Sequence, residues 1–155
     1  MATQDDRWRT RKLRLAAVTF AIGFGIHGLD HLRRGMDASP RSIMIGGTVQ
    51  AAFVAVAVLM AVTHRYRAPE AAVGIGFGSA AVFVYAHLLP TFWADYQDSY
   101  ISLPHTGVTW FSWLSAITEI GTGLVYGFVG VGVLRARRSP SALARFAASS
   151  SGTAR

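Results

Sequence analysis

The sequence predicts an all-α membrane protein, an antiparallel bundle of four transmembrane helices with both termini cytoplasmic. Three observations carry that expectation. Four long apolar runs alternate with polar connections. Charged residues are 15% of the 155-residue chain and apolar residues 52%, with 16 glycines. The basic residues gather in alternate connections. An average soluble domain has about 25% charged residues, so this profile suits helices packed closely in lipid better than a core surrounded by water.

A span needs about 20 apolar residues. Spans are expected at about 13–32, 42–62, 71–89 and 111–134. The first is the weakest, because Arg14 opens it and His27, Asp30 and His31 close it. Its basic prelude RWRTRKLR followed by LAAVTFAIGFGI has the form of a signal peptide. No small-x-small cleavage site follows and His27 interrupts the run, so an uncleaved first span is expected. Residues 1–12 then form a basic cytoplasmic N-terminus, and 135–155 a basic, Ser- and Ala-rich cytoplasmic tail expected to be disordered.

Orientation follows from Lys and Arg. The N-terminus, the Thr63–Pro69 connection and the tail carry twelve of them; the other side carries three, Arg33, Arg34 and Arg41. The Pro90–Trp110 connection has none and is expected to face outward. A net charge of +7 placed between and beyond apolar runs points to a membrane rather than nucleic acid. The expected partners are the lipid bilayer and either a second copy of the chain or a larger membrane complex.

Small residues recur every fourth position in each run: Ala17, Ala21 and Gly25; Gly47, Ala51 and Ala55; Ala72, Gly76 and Ala80; Gly123 and Gly127. On a helix this spacing makes a flat stripe along which backbones approach. In the outer connection, Phe92, Trp93, Tyr96, Tyr100, Trp110 and Trp113 fit an interfacial aromatic belt. That connection reads either as a segment lying over the bundle mouth or as a loop anchored by its aromatics.

The chain has no cysteine, which excludes disulfides, thiolate metal sites and cysteine nucleophiles. A metal or redox site must use His, Met, carboxylates or a bound cofactor. His27, Asp30 and His31 share one helical face at i, i+3 and i+4. His87 and Glu119 lie in the same outer half of the bundle, and the stripe Ala72, Gly76, Ala80 continues through Phe83 to His87. Ser112, Ser115, Glu119, Thr122 and Tyr126 make a polar stripe on the fourth span. An ionisable group inside a span is costly and faces the bundle interior by default.

The candidate metal ligands are therefore His27, His31, His87, Glu119 and Asp30, for a divalent ion. His27 with His87 is the candidate axial pair for a b-type haem. Gly28 follows His27, so the HxxxH here is not the HExxH of zinc peptidases. Three functions stay open. The first is an outward-facing His/carboxylate site for metal handling or electron transfer. The second is a non-catalytic subunit whose polar residues, such as Glu119 with Gln50 or a serine, hold helices together. The third is a small proton-coupled carrier. Whether the chain is an enzyme is left open.

Overall fold

The structure, a computed structural model, describes residues 4–35 and 37–138. Four helices account for most of them: α1 (Gln4–Arg34), α2 (Arg41–Val62), α3 (Ala68–Phe83) and α4 (Trp110–Arg137). α3 runs on into a π-helical turn, Val84–Leu88. All four helices are long and apolar enough to cross a membrane, the third with its π turn included. The helices overrun the expected spans, and Arg135–Arg137 continue α4. The rest of the expected tail, 139–155, lies outside the described residues.

Local chemistry sets the boundaries. α1 stops at Gly35, whose φ of +93° is open to glycine, and the Gly35 N–H closes the helix on the His31 carbonyl. Pro40 precedes α2 with extended backbone. α3 opens with Pro69 in its first turn and Glu70 beside the helix N-terminus. At the start of α4 the Thr109 N–H donates to Ser112 Oγ, and Arg135 and Arg137 lie in its last turn.

α4 runs antiparallel to both α1 and α3. Thr122 of α4 meets Gly23 of α1, and Ser115 meets His27 one turn further along. Against α3, Gly130 meets Pro69 while Gly123 meets Gly76. The α3–α4 seam is a glycine contact: a Cβ on Gly76 would come 2.6 Å from the Gly123 carbonyl oxygen and 2.7 Å from the Gly127 nitrogen. The expected stripe on α3 is thus a packing face.

The other stripes behave differently. α1 buries Leu13, Ala16, Ala17, Phe20 and His27, and leaves Gly25 exposed. α2 buries Val54, Ala57 and Ala61 near the α2–α3 turn, whereas Gly47 and Ala51 border a cleft. Four-residue spacing of small residues describes a thin helix face, and such a face can border open space as readily as another helix. Phe20 stacks on Tyr126 at the centre of the core, and the Tyr126 hydroxyl donates to the Ala57 carbonyl of α2 at 3.0 Å.

The 89–109 connection folds back onto the end of the bundle. Phe92, Trp93, Tyr96 and Trp110 are exposed, as a belt requires. Tyr100 is not part of that belt. It is 4% exposed, because its N–H bonds the His87 carbonyl and its ring packs on the His87 ring.

Candidate metal centre

His27 and His31 stand one turn apart near the end of α1, and His87 faces them from the π turn after α3. The three rings form a group whose donor atoms all lie within 4.8 Å of one another. His27 and His87 are buried and His31 is half-buried. Ring centroids are 4.8 Å apart for His27–His31 and His27–His87, and 5.8 Å for His31–His87.

The π turn holds His87 in place. Its wider winding leaves main-chain carbonyls at the end of α3 without helical partners, and the segment 97–100 supplies them. The Asp98 N–H donates to the Ala86 carbonyl and the Tyr100 N–H to the His87 carbonyl. Gln97 Nε2 donates to the Tyr85 carbonyl, and Ser99 Oγ to that of Leu89. In return, the Asp98 carbonyl accepts a hydrogen bond from His87 Nδ1 at 2.9 Å.

Hydrogen-bond bookkeeping then assigns the tautomers. A carbonyl only accepts, so His87 Nδ1 carries its proton. Ser39 Oγ gives its one proton to Asp98 Oδ2 at 2.7 Å, so at 3.2 Å it accepts from His31 Nδ1. Ser115 Oγ lies 2.9 Å from the Ser112 carbonyl and 3.4 Å from His27 Nδ1, and when it donates to the carbonyl it is free to accept from the imidazole. In the tautomer set in which every Nδ1 carries the proton, each Nε2 keeps a lone pair. His27 Nε2 and His31 Nε2 face each other at 3.1 Å. If either Nε2 carries a proton the two are hydrogen-bonded; if neither does, two lone pairs face each other and a cation between them removes the repulsion. Nitrogens about 2.0–2.1 Å from a tetrahedral ion stand about 3.3 Å apart, close to the 3.1 Å between His27 and His31 and within the 4.8 Å that bounds the group. The group is therefore able to hold a metal ion, with its outer ring nitrogens fixed on a carbonyl and two hydroxyls as metal-binding histidines generally are.

Asp98 is the keystone that the sequence did not reveal. Arg34 grips its carboxylate through two nitrogens, at 2.6 and 2.9 Å, and both side chains are buried. Burial pulls the Asp98 carboxyl up, but the hydrogen bonds from Arg34 and Ser39 and the Arg34 charge outweigh it and hold it below the usual carboxylate range. Burial pushes the Tyr100 phenol up, and the neighbouring Asp98 charge adds to that.

Of the five expected ligands, the structure brings together His27, His31 and His87. His31 is a full member of the group. Asp30 and Glu119 do not belong to it. Asp30 is turned to Arg33 at 2.8 Å, with its second oxygen buried and unpartnered. Glu119 is fully buried one turn beyond Ser115, and neither of its oxygens has a hydrogen-bond partner among the described residues. Gln50, the expected partner of Glu119, instead donates to Ser79 at 2.7 Å, tying α2 to α3. His105 is exposed in the connection, and His64 lies at the opposite end of the bundle in the α2–α3 turn.

No family model matches the chain, and neither a curated protein nor a solved structure matches it significantly.

Proposed function

We propose that this chain is a multi-pass protein of the cell membrane that binds one divalent transition-metal ion through His27, His31 and His87, with a coordination position left open for an external ligand. The observation that carries the reading is the convergence of His27, His31 and His87, one ligand nitrogen of each lying within 4.8 Å of the others. Three neutral imidazoles suit Zn, Cu, Fe or Ni. Structural zinc sites are closed by four protein ligands, whereas three ligands and an open position belong to sites that handle an exogenous group. Among the described residues no fourth His, Asp or Glu joins the group. The segregation of basic residues supports cytoplasmic termini, which puts the centre on the outer side.

The geometry favours a bare ion over haem. Axial nitrogens about 2 Å either side of an iron would set the ring centroids about 6 Å apart with the macrocycle between them. The His27 and His87 centroids are 4.8 Å apart, and the Phe83 ring packs against both.

A second reading has one observation in its favour, the long 3.4 Å contact between His27 and Ser115. If His27 carries its proton on Nε2 and donates it to His31, the network is a helix-end hydrogen-bond cluster in a non-catalytic subunit. Elemental analysis and Co(II) titration of purified protein separate the two. One equivalent of metal, with imidazole-type Co(II) absorption lost in His27→Ala and in His87→Ala, is expected. Wild-type protein that binds no metal at micromolar concentration would establish the subunit reading instead, and a Soret band would restore haem.

A further inference from the structure

The three histidines line one end of a cleft of about 720 Å³ bounded by α1, α2 and α3, within the roughly 300–1,000 Å³ of small-molecule sites. The cleft exists because α2 packs only at one end. Its buried residues, Val54, Ala57 and Ala61, lie toward the α2–α3 turn, while its first half buries none and is tied to α3 through Gln50 and Ser79.

Five glycines border the open part: Gly28 on α1, Gly46 and Gly47 on α2, Gly74 and Gly78 on α3. A Cβ at any of them would meet nothing within 4 Å. Close helix packing therefore does not account for them, in contrast to Gly76 on the opposite face of α3. Each costs a helix about 1 kcal/mol relative to alanine, and what they leave is room. The remaining wall is mostly apolar, with phenylalanines at positions 24, 53 and 83. Gln50 and Ser79, the polar pair part-way along it, are bonded to each other.

With four membrane-spanning helices, the surroundings of this cleft at the depth of α2 are hydrocarbon. A molecule entering there comes from the bilayer rather than from water. We infer that the cleft admits a membrane-dissolved amphiphile with one long apolar chain and an oxygen-donor head, and delivers that head to the open position of the metal. The inference rests on the metal-centre reading and names the class of ligand that the centre receives.

The test uses the full-length protein in nanodiscs, loaded with Co(II), and two hydroxamate probes that share one metal-binding head: dodecanohydroxamate and acetohydroxamate. Both change the visible spectrum of Co(II) when they coordinate it. Gly47→Leu and Gly78→Leu start from positions where a Cβ meets nothing within 4 Å and extend into the cleft, and their Co(II) spectra serve as the control for folding. Each should leave the acetohydroxamate titration unchanged and weaken that of dodecanohydroxamate at least about tenfold, a difference near 1.4 kcal/mol. Comparing variants with wild type cancels the partitioning of the long chain into lipid. An unchanged dodecanohydroxamate titration in both variants would overturn the inference while leaving the metal centre standing. Failure of the wild type to bind Co(II) would overturn the metal centre, and this inference with it.

Discussion

Gly76→Ala adds a single methyl group at the tightest point of the α3–α4 seam. Its Cβ would lie 2.6 Å from the Gly123 carbonyl oxygen, against the 3.4 Å at which ordinary contact begins. The overlap is therefore about 0.8 Å, and its partners are backbone atoms, which cannot rotate away. The two helices must separate along a seam that also holds Gly127 and Gly130. Overpacking of this kind costs about 1–3 kcal/mol. Gly78→Ala supplies the matched control: it lies on the same helix, gains the same helix propensity of about 1 kcal/mol, and meets nothing within 4 Å. The difference between the two variants isolates the seam. At about 2–4 °C per kcal/mol for a chain of this size, Gly76→Ala should melt roughly 2–12 °C below Gly78→Ala. Thermal unfolding in detergent, with chelator present so that metal does not contribute, measures it. Equal melting temperatures would mean that α3 and α4 are not joined along this face, and would also remove the scaffold that aims His87 inward.

Four further outcomes are expected. Ser39→Ala removes the acceptor for His31 Nδ1 and should weaken Co(II) binding by roughly ten- to a hundredfold, read by competitive titration. Asp98→Asn should make melting insensitive to acid: the folded carboxyl is held below its ordinary value of about 3.9, so its contribution is complete above that pH and is lost as pH falls through the depressed value. Wild-type melting temperature should therefore drop below about pH 4 while that of the variant stays flat and low, and parallel curves would assign the acid sensitivity to another group. Glu119→Leu replaces a buried carboxyl that has no hydrogen-bond partner, and should raise the melting temperature without changing metal stoichiometry; loss of metal would make Glu119 a ligand. For the proposed orientation, His105→Cys and Thr63→Cys in this cysteine-free chain should be labelled by an impermeant thiol reagent from opposite sides, with His105→Cys reacting in intact cells.

Much of this architecture could be read from residue spacing. Apolar runs located the four helices, and the i, i+4 relation of His27 to His31 is a property of any helix. The step from Gly76 through Ala80 and Phe83 placed His87 on the inward face, because four-residue spacing carries across α3. What spacing could not supply was the return of the 97–100 segment onto the bundle. Asp98 meets Arg34, 64 positions earlier, and nothing in the local pattern of a Tyr- and Trp-rich loop distinguishes Asp98 from the exposed Asp95. Tyr100 was assigned to the interface with its aromatic neighbours for the same reason. For Glu119, depth in a span shows that a carboxyl is costly, but not which neighbours it reaches, and the His27, His31 and His87 group does not include it. The sole hint of the true support was composition, a loop with Gln, Asp and Ser in succession and no positive charge, placed on the same side as the arginines at the end of α1.

The division of the site among segments has a consequence for biogenesis. His27 and His31 leave the ribosome early and His87 much later, but the bonds that fix His87 come from residues 97–100, after the third span is complete. Arg34 and Ser39 wait for the same segment. Until α4 is inserted and the connection is drawn back between α3 and α1, the three imidazoles have no common centre. On the proposed reading, metal acquisition follows membrane insertion as its last step, and a chain interrupted before residue 98 has its histidines present but uncommitted.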